Sequence, residues 1–185
     1  MGISKNRAIA FGIVSIFILS ICLLCGCSQQ QDQKAKYDLN TTGNFKGIEY
    51  KYDSNWRESK GSTYINYAAD SDHDVQIYTQ ESKTMTADKF YEGRKNNYMD
   101  TSKYKDVTFK DISKGTKEVN GWQLTTYEYS VKYTSVSNGK QSEDTVKAAY
   151  GSRTDGFVWI SVTAKNGNTD TSLFDDFIAN VKPLV

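Results

Sequence analysis

Asp70, Asp72 and Asp74 alternate along the chain, His73 sits among them, and Glu81 falls at the twelfth position counted from Asp70. Carboxylates at that spacing echo a calcium loop, in which side-chain oxygens surround a hard cation. The sixth position excludes it. Such a loop turns sharply at a glycine, and Val75 stands there instead, in step with Ile77 as part of a strand. A solvated hairpin turn is the expected structure. His73 is the sole histidine, so a Ser-His-Asp triad or a multi-histidine metal site would have to use it. No nucleophile elbow, zinc-binding helix or phosphate-cradling glycine loop accompanies it, and it is expected at the surface. Asp175-Asp176 is a visible pair of carboxylates such as glycoside hydrolysis employs, but adjacent residues on a helix diverge in direction. No catalytic residue, metal ligand or cofactor is assigned.

The aromatic side chains offer a different chemistry. Trp56, Trp122 and Trp159, with 13 tyrosines, could stack on a sugar or peptide. Most of them are needed for the core, because the chain is poor in Leu and Phe and aromatic rings bury the largest areas. Trp122, directly after a tight turn, is the tryptophan expected to be most exposed and is the contact candidate, since exposed aromatics concentrate binding energy.

The most reactive group by type is a thiol. A cationic start with Lys5 and Arg7 leads into an apolar run from Ala8 to Leu24, followed by Cys25, Gly26 and Cys27, the three-part pattern of a secretion signal. Leu24-Cys25-Gly26-Cys27 resembles the lipobox of bacterial lipoproteins. That resemblance implies thioether linkage of Cys27 to diacylglycerol, cleavage before Cys27, and localisation at the extracytoplasmic face of the cell membrane. A thiolate is nucleophilic enough near neutral pH for this transfer, and two acyl chains make attachment stable. The apolar run is short for a permanent span and is broken by Gly12, Ser15 and Ser20.

Cleavage there sets the composition of what remains. Of 23 basic residues two, Lys5 and Arg7, leave with the signal, against 22 acidic residues that all stay. Near-neutral charge without a basic cluster argues against nucleic acid as a partner. Cys22, Cys25 and Cys27 are the only cysteines, so no disulfide can form in the mature chain. Three segments follow: 1–26 as signal peptide, 27–44 as lipidated N-terminus and polar tether, and 45–185 as one globular domain, long enough to bury a core of its own.

The elements of that domain follow from periodicity. Ile48, Tyr50 and Tyr52 share a face of a first strand, with Asp53-Ser54-Asn55 as a turn. Residues 62–69 place Thr63, Ile65 and Tyr67 together, and residues 74–80 place Val75, Ile77 and Thr79 together. Thr86 has the side chain of an N-cap, and Ala87, Phe90, Tyr91, Arg94 and Tyr98 fall on one helical stripe ending near Met99. Strand-like residues 106–113 and a short run to Val119 precede Asn120-Gly121, the strongest hairpin signal in the chain. The strand after it puts Tyr127, Tyr129, Val131 and Tyr133 on one face and Leu124, Thr126 and Glu128 on the other. Asn138-Gly139 leads to a strand near 143–152, and Thr154-Asp155-Gly156 turns into Phe157 to Ala164, with Val158, Ile160 and Val162 facing the core. A closing helix, capped by Asp170 or Thr171, carries Leu173, Phe174, Phe177, Ile178 and Val181 and is stopped by Pro183. The order predicts an α+β fold, an antiparallel sheet flanked by helices.

Gly47-Ile48-Glu49-Tyr50 running to Tyr52-Asp53-Ser54-Asn55-Trp56, a mid-chain helix, the hairpin glycine Gly121, the strand Phe157-Val158-Trp159-Ile160 and a helix from Phe174 to Val181 together resemble the PsbP-like fold. Asp53 stands where that family usually has Pro. The resemblance covers residues 45–183 and implies an α/β/α sandwich. The fold takes its name from an extrinsic photosystem subunit and is shared by a Ran-binding nuclear transport factor and by many small bacterial lipoproteins. It transfers a scaffold and no active site, since neither the photosystem nor the Ran-binding residues have matching motifs here. The expected function is a non-enzymatic binding or accessory module of the cell envelope, anchored through Cys27 and directed at an envelope protein or cell-wall glycan. The alternative is a surface hydrolase using paired carboxylates.

Overall fold

The computed structural model describes residues 37 to 184; the export segment and Cys27 lie outside the described residues. The chain runs β1 (Thr41–Phe45), β2 (Ile48–Tyr52), β3 (Arg57–Lys60), β4 (Tyr64–Ala68), β5 (His73–Gln80), helix α1 (Ala87–Tyr98), β6 (Tyr104–Val119), β7 (Trp122–Ser135), β8 (Gln141–Ser152), β9 (Phe157–Ala164), helix α2 (Leu173–Ile178) and β10 (Lys182–Pro183). Seven strands form one sheet in the order β3-β4-β5-β9-β8-β7-β6, and β1-β2-β10 form a second, small one. Every pairing is antiparallel.

Strand β9 sits near the middle of the large sheet and shows how the core is divided. Its side chains alternate between faces: Val158, Ile160 and Val162 join one buried cluster, and Phe157 and Trp159 join another on the opposite side. The first cluster takes Ile65 and Tyr67 from β4, Val75 and Ile77 from β5, and Leu173, Phe174, Phe177 and Ile178 from α2, closed by Phe45, Ile48 and Tyr50 of the small sheet. The second is roofed by α1, whose Tyr91 is buried and whose Phe90 packs 4.8 Å from Phe157 and 5.1 Å from Trp159 between ring centres. The helix starts as its sequence dictates, with Thr86 Oγ1 accepting the N–H of Lys89 at 3.3 Å.

Several local expectations need correction. Residues 41–44, expected as the end of the tether, belong to β1, which pairs with β2 from Thr41↔Tyr52 to Phe45↔Ile48. The stretch 104–119 is one strand, with register shifts between Lys105/Thr108 and Asp111/Ser113 rather than a break. The closing helix covers only Leu173–Ile178, with Ser172 at its N-cap and no side-chain cap bond; Asp170 instead accepts the Ser172 N–H at 3.0 Å. Beyond it, Lys182 and Pro183 pair with β2, and Val181 is buried as chain entering that small sheet. One helix lies on each face of the large sheet, but much of the cover on the α2 side is sheet, so the α/β/α expectation holds only loosely.

Candidate functional site

His73 is inside the protein, 1% exposed, which reverses the surface expectation. Strand β5 begins at His73, so the inward alternation His73, Val75, Ile77, Thr79 includes it. Its Nδ1 lies 2.9 Å from Asp70 Oδ1 and its Nε2 lies 3.0 Å from the Asp170 carbonyl oxygen. Tyr37 completes the cluster by donating its hydroxyl to Asp70 Oδ2 at 2.6 Å. Both ring nitrogens are committed to structural partners, so the histidine ties residue 37, the β4–β5 turn and the segment before α2 together. The neighbouring aspartates are likewise occupied. Asp70 Oδ1 accepts the N–H groups of Asp72 and His73 at 2.7 and 2.8 Å, and Asp74 pairs with Lys165 at 2.9 Å. Among the described residues no group of three or more His, Cys, Asp or Glu is placed to hold a metal ion.

The aromatic contact candidate also moves inside. Trp122 is 9% exposed, and Trp56 and Trp159 are more buried still. The turn before Trp122 is the tight hairpin the sequence demands, Asn120 at φ 50° and Gly121 at φ 77°. Its end is not free, because Asn120 Nδ2 donates to the carbonyl oxygens of Val181 at 2.7 Å and Ala179 at 3.3 Å. The indole packs against β8, where a Cβ on Gly151 would come within 2.3 Å of it. Its Nε1 donates to the Ser152 carbonyl at 3.1 Å.

Asp88, Asp111 and Asp175 are held rather than poised. Asp175 bonds Lys147 at 2.5 Å and Lys117 at 2.9 Å; partial burial opposes its ionisation, yet the two ammonium groups hold it below the usual carboxylate range. On the β6 side of α1, a hollow of about 490 Å³ is lined by Asp88, Tyr91, Glu92, Asp111, Lys114 and Tyr127, among others. Lys114 and then Tyr127 hold Asp88 below its ordinary pKa, and Tyr91 and then Lys95 do the same for Asp111. A glycosidase needs one acid kept protonated beside an ionised one. Asp144 is the carboxyl that burial raises, but it is 8% exposed, accepts from the Tyr133 hydroxyl at 3.2 Å, and is not among the residues lining these hollows.

A polar recess lies on the other side of α1. There the helix leaves part of the large sheet uncovered, and Asn66 of β4, Gln76 of β5 and Ser161 of β9 stand in one row across three strands. With Arg57 and Ser59 of β3, Asp74, Thr163, and Arg94 from α1, they line a recess of about 440 Å³. Gln76 Nε2 donates to Asn66 Oδ1 at 2.8 Å, while Gln76 Oε1 is buried without a partner. Behind Arg94, burial raises the Tyr129 hydroxyl pKa, with Arg94 the strongest charge it feels. Sequence reasoning missed these residues because it tracked the apolar face. The available signal was the opposite face: Asn66 and Gln76 between hydrophobic neighbours, and Ser161 and Thr163 interrupting a strand that is otherwise apolar on both sides.

No family model and no curated protein matches this sequence. In structure the chain is similar to cyanobacterial PsbP (CyanoP) from Synechocystis, at 14% identity over 77% of this chain and 91% of that one, with a TM-score of 0.53. It is also similar to the Ran-binding protein Mog1p of Saccharomyces cerevisiae, at 9% identity over 80% of this chain and 97% of that one, with a TM-score of 0.54. At such identities the likeness is one of fold. The mostly antiparallel sheet with two helices is the architecture of PsbP and Mog1p, as the aromatic spacing of the sequence suggests.

Proposed function

We propose that this protein is a lipid-anchored, extracytoplasmic, non-enzymatic binding or accessory module of the cell envelope, held to the membrane through Cys27. The observation that carries the binding reading is the uncovered polar recess beside α1, while Asp88, Asp111 and Asp175 are tied to lysines or phenols and Asp144 is buried. The lipobox pattern carries the anchoring. Between Cys27 and Tyr37, the first described residue, the chain can reach at most about 35 Å when fully extended. That reach keeps the domain close to the lipid and suits a partner in the membrane or wall, an envelope protein or a glycan.

Intact-mass analysis of protein extracted from membranes tests the anchor. The wild type should carry a diacylglyceryl mass on an N-terminal Cys27, and Cys27→Ala should accumulate as precursor or appear unlipidated in the soluble fraction. An unmodified Cys27 on normally anchored protein would sink the reading. Turnover of a glycan or peptide by the purified protein, lost on Asp88→Asn or Asp111→Asn at the hollow they line, would favour the hydrolase instead.

A further inference from the structure

The charges around the recess are unequal. Among the described residues neither Arg57 nor Arg94 has a carboxylate within ion-pair distance, whereas Arg153 pairs with Asp155 at 3.4 Å. Of the two acids at the recess, Asp74 is neutralised by Lys165, and Glu58 accepts from the Tyr67 hydroxyl at 3.1 Å. Two guanidinium groups therefore stand against one carboxylate. A guanidinium presents donors in a fixed fork that matches carboxylate or phosphate oxygens.

The second requirement comes from Gln76. Its Oε1 is an acceptor shut away from bulk water with no donor against it, and a buried acceptor left unpaired is costly. A ligand that meets it must draw the Gln76 amide round toward the recess and bring an N–H or O–H. Asn66, Ser161 and Thr163 around it supply further amide and hydroxyl groups, the lining that suits a hydroxylated molecule rather than an apolar one.

We propose that this recess binds a small hydroxylated anion, of the class of sugar acids and hydroxy acids, with its anionic group on Arg94, Arg57 at the rim, and a ligand hydroxyl donating to Gln76 Oε1 as that amide turns toward the recess. The inference deepens the binding-module reading and is independent of the anchor. A ligand of this class is either a free metabolite or the acidic unit of a longer glycan; the chemistry recognised is the same.

Isothermal titration of the full-length chain in detergent micelles tests it with three probes: glucuronate, glucose and acetate. Glucuronate should bind more tightly than glucose, which lacks the charge, and than acetate, which lacks the hydroxyl donor. Arg94→Gln should weaken glucuronate by at least about tenfold without altering the unfolding temperature. Gln76→Leu should bring glucuronate down toward acetate and leave acetate unchanged. If Arg94→Gln proves unstable, Arg57→Gln on the exposed edge strand should still lower glucuronate affinity severalfold. A longer acidic glycan binding more tightly than glucuronate assigns the site to a polymer, and equal affinity assigns it to the free acid. No heat with glucuronate at millimolar concentration, glucose binding as well as glucuronate, or folded Arg94→Gln and Arg57→Gln proteins that both bind normally would overturn the proposal. Cys27→Ala should leave these affinities unchanged, so failure here is distinct from failure of the anchor.

Discussion

Tyr91 and Tyr127 stack with ring centres 4.4 Å apart and planes 14° from parallel, and each donates its hydroxyl to an aspartate on the other's side of the contact. Tyr91 of α1 bonds Asp111 of β6, and Tyr127 of β7 bonds Asp88 of α1 at 2.6 Å. Lys95 and Lys114 close the pair by bonding Asp111 and Asp88 at 3.0 and 2.7 Å. The crossing fixes the helix to the sheet by polar contacts at one edge, where Phe90 fixes it by packing at the other.

Tyr91→Phe keeps the stack and removes one hydroxyl bond, so it should cost about 1 kcal/mol at neutral pH, the low end for a charged acceptor because Asp111 is largely in water. Tyr91 and Lys95 lower the Asp111 pKa, so this stabilisation is present above the unfolded carboxylate value and is lost as pH falls through the folded one. Denaturant titrations at neutral and strongly acidic pH should show the variant's deficit shrinking in acid. A deficit independent of pH would mean the phenol acts through packing alone.

His73→Ala should be far more damaging than a surface substitution. It empties a fully buried site and strips partners from Asp70 and the Asp170 carbonyl, a combined loss of about 2–4 kcal/mol. The midpoint of urea unfolding measures it, and a change below about 0.5 kcal/mol would place His73 outside the core after all.

Gly121→Val tests the hairpin. No atom lies within 4 Å of the position a Cβ would take, so any cost comes from forcing a β-branched residue to φ 77°, about 1 kcal/mol or more. An unchanged thermal midpoint would argue against the turn.

Asp144→Asn should stabilise. Burial raises the Asp144 pKa above its ordinary 3.8, so the folded protein holds this proton more tightly than the unfolded chain does. The benefit of the protonated form is complete below the unfolded value and is lost as pH rises through the folded one. An amide mimics that form, so the variant should melt higher than wild type at pH 7 and close to it near pH 3. A lower melting temperature at pH 7 would show that Tyr133 and Lys165 favour the ionised carboxylate more than burial opposes it.

What could be read from the sequence was local. Thr86 as cap, Asn120-Gly121 as turn and Val158-Ile160-Val162 as a core face each express a preference of a few neighbouring residues. His73 was misplaced by a strand boundary set one residue late, which left it in the turn although it stands two residues before Val75 and so shares its buried face. Trp122 was misplaced because the turn before it is not free: Asn120 ties it to Ala179 and Val181, some sixty residues later, and the indole packs on Gly151 of β8. Val181 fits helical spacing with Phe177 and Ile178, but its burial is supplied by the small sheet. The recess was invisible for a related reason: Arg57, Gln76, Arg94 and Ser161 come from four separate elements, and no short motif unites them.

Strand β2 lies between β1 and β10, so the first and last strands of the described chain share one neighbour, and Leu184 adds a bond from its N–H to the Gly47 carbonyl at 2.7 Å. Mechanical load applied ahead of Tyr37 would meet its bond to Asp70 and its edge contact with Trp56. It would then open the β1–β2 hairpin from Thr41↔Tyr52, one pair at a time, peeling rather than shearing. The first segment to yield is thus a five-residue strand at the margin, and the seven-stranded sheet with its recess stays out of the line of force.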